Sequence, residues 1–235
     1  MKNNSKVKFS FLSEKGIREK NEDAYLAEKI GKYYAFAIAD GMGGHTHGEK
    51  ASKIAITELK ETLKRFNEEP EDLLKRAFEK ANREILAYSE IVGTSMGTTL
   101  VACLLNEEGE VVIANIGDSR AHIINDGVWH TKDHSYVQEL LDSNIIDEKE
   151  AKKHPRKNII TRALGMEERV KPDLYRKKLK GTLVLCSDGL HDYVEDEDIA
   201  KIVKSYKPEE ACRNLIKLAL KSSNDNITVI VVSLE

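Results

Sequence analysis

Two hydrophobic rhythms run along this 235-residue chain. Alternating or short continuous apolar stretches predict strands near residues 8–12, 24–30, 33–39, 98–105, 111–116, 121–125, 183–186 and 227–234. Gly31-Lys32 reads as a hairpin turn between the second and third of these, and 106–109 and 117–120 read as tight connections. A helical rhythm appears between the strands. Ala51, Ile54, Ala55, Leu59, Leu63 and Phe66 form one apolar stripe. Pro70 opens a second helix that turns Leu74, Ala77, Phe78, Ala81 and Ile85 inward. Residues 197–206 and 208–221 read as another helix pair before the last strand. Strands, two helices, strands, an insertion, strands, two helices and a strand predict an α+β layer architecture of mostly antiparallel sheet with segregated helix pairs.

Residues 133–165 differ from the rest. They carry two short helical pieces, 136–141 and 147–154, and a basic cluster of Lys152, Lys153, Arg156 and Lys157, with few long apolar runs. An insertion of this kind reads as a surface flap, because long inserts in compact domains tend to be functional. The basic cluster is most simply a solvated face; beside a site it would steer acidic phosphopeptides.

Composition narrows the function classes. With 37 basic and 40 acidic residues the net charge is −3, which gives no electrostatic case for a nucleic-acid partner. The N-terminus lacks the apolar core of a signal peptide, and the longest apolar runs are far below a membrane span, so a cytoplasmic location is expected. Cys103, Cys186 and Cys212 are widely spaced inside apolar runs, which fits reduced core thiols. No Cys-x-x-Cys pair suggests structural zinc.

Most acidic residues lie on charge-mixed helical stretches. Asp40, Asp118, Asp188 and Asp225 instead sit at strand ends beside glycine, serine or asparagine. Each alone fits a turn residue bonding local backbone. Four at corresponding positions suggest a shared role, since rigid strand ends hold side chains open to ligands. Carboxylates gathered at one pole repel one another by about 4 kcal/mol per close pair at an effective dielectric of about 20. A divalent cation removes that cost, and an oxygen-only donor set selects hard ions such as Mg²⁺ or Mn²⁺.

Read in order, "GIREKNEDAY", "ADGMGGHTHGEKAS", "MGTTLVACLL", "ANIGDSRAHII", "DHS", "HPRKNIITRALG", "LVLCSDGLHDYV" and "NDNITVIVV" cover nearly the whole chain. Together they resemble the bacterial metal-dependent serine/threonine protein phosphatases of type 2C. The resemblance implies a central antiparallel β-sandwich flanked by helix pairs, a four-layer α-β-β-α fold. It implies one catalytic domain over 1–235 with the flap at 133–165 inside it. It also implies two Mn²⁺ or Mg²⁺ ions and a weaker third. Asp40 would bridge the pair, the Gly41 carbonyl would touch one ion, and Asp188 and Asp225 would hold the other. Asp118, Asp188 and Asp192 match the third-ion positions, Glu22 and Asp23 acids acting through bound water, and Arg18 the arginine that binds the substrate phosphate.

That implied chemistry is hydrolysis of phosphoserine and phosphothreonine in proteins by a metal-bridging water or hydroxide. A cognate serine/threonine kinase would be the counterpart, and the chain is expected to be a monomer. A silent phosphoprotein-binding adaptor would need lost ligands, whereas every expected one is present; a hydrolase of small phosphate esters would share the chemistry. His45 aligns with the glycine-rich block's histidine, a candidate proton donor to the leaving alkoxide. His47 reads as surface, and Gly43, Gly44 and Gly48 as freedom and close packing at a helix start rather than a dinucleotide fingerprint. Ser119, Arg120 and His134 read as structural. Asn144, where the family commonly has glycine, and His191, inside the Ser-Asp-Gly-Leu block, are the departures from the pattern.

Overall fold

A computed structural model describes residues 7–42, 47–65 and 68–234. In chain order the elements are β1 (Val7–Glu14), β2 (Ala24–Ile30), β3 (Tyr33–Ala39), β4 (Gly41–Met42), α1 (Gly48–Arg65), α2 (Pro70–Val92), β5 (Gly97–Thr98) and β6 (Leu100–Leu105). There follow β7 (Glu110–Ile116), β8 (Arg120–Ile124), β9 (Val128–His130), α3 (Tyr136–Asp142), α4 (Glu148–Lys153), β10 (Asp173–Lys178) and β11 (Thr182–Cys186). The chain closes with α5 (Asp188–His191), α6 (Asp196–Ser205), α7 (Pro208–Ala219) and β12 (Ile227–Leu234).

Two five-stranded antiparallel sheets, ordered β1-β12-β11-β8-β9 and β10-β7-β6-β3-β2, stack face to face. The alternation within β3 shows how sequence dictates the layers. Tyr34, Phe36 and Ile38 point into the core between the sheets. Ala35, Ala37 and Ala39 point the other way, where Ala51 and Ala55 of α1 and Ala77 and Ala81 of α2 pack on them. Small residues on that face let the helices lie close to the sheet. On the opposite sheet Ile230 and Val232 of β12 face inward, while Val229 and Val231 meet α7 through Ala211, Leu215 and Ile216. Strands covered on both faces therefore read as near-continuous apolar runs. The α+β sandwich expected from the sequence is what forms.

Three strand assignments needed the tertiary structure. The stretch 98–105 is split at Thr99: β5 pairs with β4, and β6 joins the sandwich. The sequence pattern misses β9 and β10. Both are edge strands, and β10, Asp-Leu-Tyr-Arg-Lys-Lys, blunts its edge with charge instead of alternating cleanly. The helix stripe ends at Arg65 among the described residues, and Phe66 lies outside them.

Between β9 and β10 lie α3 and α4. Ser135 caps α3, accepting from the Gln138 amide at 3.3 Å, and Asp147 and Glu150 form a reciprocal capping box on α4. Asn144 has φ 54°, the left-handed conformation in which asparagine is among the better-tolerated substitutes for glycine. No helix among the described residues is long and apolar enough to cross a membrane. All three cysteines are buried and free.

Candidate metal centre and active site

The sandwich brings distant strand ends together. Ala24 pairs with Ala39, so Asp23, just before β2, and Asp40, just after β3, flank the same end of one sheet. On the other sheet the Ser187 amide donates to the Thr228 carbonyl at 3.1 Å, placing Asp188 beside the start of β12, which Asp225 precedes. Asp118 reaches the cluster from the β7–β8 turn.

Asp40 is held by its backbone. Its amide donates to Thr99 Oγ1 at 2.9 Å, and its carbonyl accepts from the Thr99 amide at 2.9 Å and from Thr98 Oγ1 at 2.8 Å. Thr99 Oγ1 also meets Ser119 Oγ at 2.7 Å, which ties the ends of β3, β6 and β8 together. The side chain of Asp40 is thereby turned to share a hydrogen bond with that of Asp188.

Asp23 is buried under hydroxyls: Thr228 Oγ1 and Ser187 Oγ donate to its Oδ2 at 2.6 and 3.0 Å. Asn226 straps the β1–β2 loop down. Its Nδ2 donates to the carbonyls of Lys15 and Lys20 at 2.9 and 2.8 Å, and its Oδ1 accepts the Glu22 amide at 2.8 Å. Arg18 stands exposed on that loop, donating from Nη2 to Asp225 Oδ2 at 2.7 Å and from Nε to the Asn224 carbonyl at 3.1 Å.

Two glycine contacts make this closeness possible. Gly41 lies against Gly48, and a Cβ on Gly41 would stand 2.2 Å from the Gly48 carbonyl oxygen. Gly189 lies under the loop before β12, where an added Cβ would stand 2.0 Å from the Asn226 carbonyl oxygen. We predict that Gly189→Ala costs about 1–3 kcal/mol, because the overlap is with backbone that must shift. Thermal melting beside the wild type checks it; an unchanged midpoint would contradict the packing.

Burial and then mutual repulsion set the charges. Asp188 is pushed up to about 7 by burial, with Asp225 and Asp192 adding to it. Asp23 is pushed up to about 6, burial outweighing its two hydroxyl donors. Asp40 rises well above the carboxylate range through burial and then the charges of Asp23, Asp188 and Asp118. Asp118 does the same through burial and then Asp188 and Asp133. Burial also raises Glu22.

Oδ1 of Asp23, of Asp118 and of Asp188 is buried with no hydrogen-bond partner among the described residues. Buried carboxylate oxygens without donors are costly unless a cation or water serves them. Among the described residues no group of three His, Cys, Asp or Glu is arranged, as it stands, to hold a metal ion. The acids are gathered, not locked. A divalent ion that took all-oxygen donors would meet the unpaired oxygens and lift the repulsion, so the residues present fit Mg²⁺ or Mn²⁺.

A family model described as protein phosphatase 2C matches residues 17–219. The chain belongs to that family. It is 39% identical to the Listeria innocua serine/threonine phosphatase Stp over 94% of each chain. Among solved structures it resembles Stp1 from Staphylococcus aureus with a TM-score of 0.92 and 39% identity, covering 97% of this chain and 95% of that one. The catalytic domain of PstP in complex with two manganese ions matches at a TM-score of 0.85 and 34% identity, over 97% of each chain.

Within this phosphatase 2C fold the structure brings together Asp23, Asp40, Asp118, Asp188 and Asp225, with Glu22 and Arg18 on the adjoining loop. Asp192 lies at the edge, with Lys157 Nζ 2.7 Å from its Oδ2. His45 lies outside the described residues. The basic cluster at 152–157 is less available for steering than its sequence suggests. Lys152 pairs with Glu195 at 2.5 Å, Lys157 with Asp192, and Arg156 lies over the Tyr136 ring at 5.6 Å. Arg120 is structural, gripping Asp133 with two hydrogen bonds of 2.8 and 2.7 Å. His134 is structural: its Nδ1 accepts the Gly117 amide at 3.0 Å. His191, the departure in the Ser-Asp-Gly-Leu block, donates from Nε2 to the Asp118 carbonyl at 2.9 Å and so braces the turn that carries Asp118.

Positioning residues that the sequence reading passed over are Thr99, Ser187, Asn226 and Thr228. Each lies beside a singled-out aspartate or inside a quoted block, but its bond crosses between strands and leaves no local signature.

Proposed function

We propose that this chain hydrolyses phosphoserine and phosphothreonine esters of proteins at the carboxylate cluster, with two divalent ions held there. The observation that carries this reading is the set of buried, unpartnered carboxylate oxygens at converging strand ends. Its membership of the phosphatase 2C family supports the same activity. Asp40, the Gly41 carbonyl, Asp188 and Asp225 would hold the ions directly, with Asp23 and Glu22 acting through water. Asp118, Asp188 and Asp192 would serve a weaker third. The ions, when bound, supply an activated water and neutralise charge on the phosphoryl group.

The chain's own residues do the rest. The guanidinium of Arg18 is fixed on one edge by Asp225 and the Asn224 carbonyl, which leaves its other N–H groups to grip phosphoryl oxygens. Water adds to phosphorus in line, the ester bond to the serine or threonine oxygen breaks, and that oxygen takes up a proton. On its place in the sequence, His45 remains the candidate donor. Asp23, Ser187 and Thr228 hold the cluster's floor rigid. In this reading residues 1–235 act as one catalytic domain and as a monomer in the cytoplasm, opposite a serine/threonine kinase. Residues 133–165 are its flap, a role supported by the Lys157–Asp192 contact at the edge of the site.

The test is a Mn²⁺-dependent assay on a phosphothreonine peptide, repeated with chelator and with Asp188→Ala. Activity is expected with metal and lost in both controls. Activity that survives both would sink the metal mechanism, and an inactive wild type would favour the adaptor. Comparable turnover on small phosphate esters would redirect the substrate class. Arg18→Ala is expected to lower kcat/KM about 10- to 100-fold through the loss of charged hydrogen bonds to phosphate. Arg18→Lys should recover only part, having charge without the planar fork. Steady-state kinetics on the same peptide measure both, and an unchanged kcat/KM in Arg18→Ala would remove the phosphate-binding role.

A further inference from the structure

Away from the catalytic acids, the β8–β9 hairpin carries two histidines directly opposite each other: His122 pairs with His130 in the antiparallel register. Opposed residues on neighbouring strands project from the same face of the sheet, with Cβ atoms about 5 Å apart. Here the two imidazole centroids are 5.5 Å apart. Asp196, the first residue of α6, covers the pair. His122 Nε2 lies 3.2 Å from Asp196 Oδ1, and His130 Nε2 lies 3.8 Å from Oδ2. Hydrolysis at the carboxylate cluster uses none of the three.

One of the ring nitrogens has a fixed role. Nδ1 of His130 lies 2.7 Å from the Thr131 carbonyl, which can only accept. Nδ1 of that ring therefore donates to the carbonyl, which turns Nε2 toward the carboxylate. A carboxylate oxygen that faces an imidazole nitrogen takes either a proton or a metal cation between them. An imidazole whose far nitrogen donates to a backbone carbonyl has the arrangement found behind metal-ligating histidines. His122 is fully buried, and burial holds it neutral, the form that ligates. Its Nδ1 lies 4.0 Å from Cys186 Sγ, a weak acceptor for the ring proton once Nε2 is engaged. The side chains of Asp196 and His130 are 31% and 35% exposed, which gives an ion a way in from solvent.

We propose that His122, His130 and Asp196 form a second metal site that takes a borderline transition cation of the Zn²⁺ class. Two imidazoles, one carboxylate and a water would complete a tetrahedron. Nitrogen donors distinguish this site from the all-oxygen cluster, which suits harder ions. Tetrahedral zinc at its usual bond lengths sets ligand atoms about 3.3 Å apart, and the two measured separations fall on either side of that value. As they stand, neither this trio nor any other group of three His, Cys, Asp or Glu among the described residues is arranged to hold a metal ion. A rotation of the partly exposed His130 ring closes the longer gap. A bound ion would pin the edge hairpin of one sheet to the start of α6.

The full chain, with Mg²⁺ in large excess to occupy the carboxylate cluster, is titrated with Zn²⁺ in a calorimeter and with Co²⁺ in a spectrophotometer. One equivalent of Zn²⁺ is expected to bind despite the Mg²⁺, and Co²⁺ should give the intense visible bands of a tetrahedral site. Both His130→Ala and Asp196→Asn should weaken Zn²⁺ binding at least about tenfold. Both should also lose the tetrahedral bands, while phosphatase activity with Mg²⁺ stays at the wild-type level. Melting without Zn²⁺ verifies the fold of each variant, and His130→Gln makes the same comparison if His130→Ala proves unstable. Equal Zn²⁺ affinity in wild type and folded His130 variants overturns the proposal, as does a Co²⁺ spectrum with only weak octahedral bands.

Discussion

Replacing Asp188 with asparagine is expected to abolish turnover and, at the same time, to raise the melting temperature of the metal-free chain. The two effects have one cause. Burial and then the charges of Asp225, Asp192 and Asp23 push the Asp188 carboxyl up to about 7, against a hydrogen bond with Asp40 that lowers it. Asparagine keeps the shape and removes the charge, so the repulsion among the remaining acids falls. A gain of about 2–4 °C per kcal/mol of relief is the scale for a chain of this size. Catalysis moves the other way, because the proposed metal ligand loses its anionic oxygen; a fall of at least about a thousandfold is expected. Activity with Mn²⁺ on a phosphothreonine peptide, alongside melting in chelator, measures both. Activity within tenfold of wild type would remove Asp188 from the metal set, and a lower metal-free midpoint would contradict the repulsion.

The second large effect links metal, pH and stability. Asp23 and Asp188 titrate at about 6 and about 7 in the folded chain. Unfolded aspartate titrates near ~3.9. Below that value both states are protonated and these acids contribute no difference. As pH rises toward about 7 the unfolded chain releases protons that the folded chain retains, so stability falls, and beyond the folded values the loss is complete. Asp40 and Asp118 act in the same direction. His122 and His191, held below the usual imidazole range by burial, act oppositely, costing stability as pH falls. Comparing melting with and without Mn²⁺ at each pH cancels their contribution. The Mn²⁺-induced rise should be much larger at pH ~8 than at pH ~5, because at the lower pH the ion competes with protons for the same oxygens. With the ion at about 100 times its Kd, stabilisation of about 2.7 kcal/mol is expected. A rise that is equal at both pH values would place the ion elsewhere.

Much of this was legible in the residues. The buried strands of the sandwich declared themselves as apolar runs, because both faces are covered, and α1 and α2 as stripes over the alanine face of β3. The edge strands β9 and β10 did not: β9 is only three residues long, and β10 carries charge in place of alternation. His122 looked like any polar residue in a strand; only the register with His130 and the arrival of α6 made it part of a cluster. The basic residues at 152–157 looked like a patch until Glu195 and Asp192 came within reach.

By itself the sequence determined which segments become strands and helices, and that aspartates stand at strand ends, because side-chain period and turn chemistry act over a few residues. Resemblance to the phosphatase 2C family supplied the reaction. Only the tertiary structure decided that Asp23, Asp40, Asp118, Asp188 and Asp225 share one end of the sandwich. It alone set Thr99, Ser187, Asn226 and Thr228 to hold them there. Their convergence depends on two sheets stacking and on hydrogen bonds between residues as far apart as Asp23 and Thr228. Bonds that cross between strands and sheets leave no trace in the spacing along one chain.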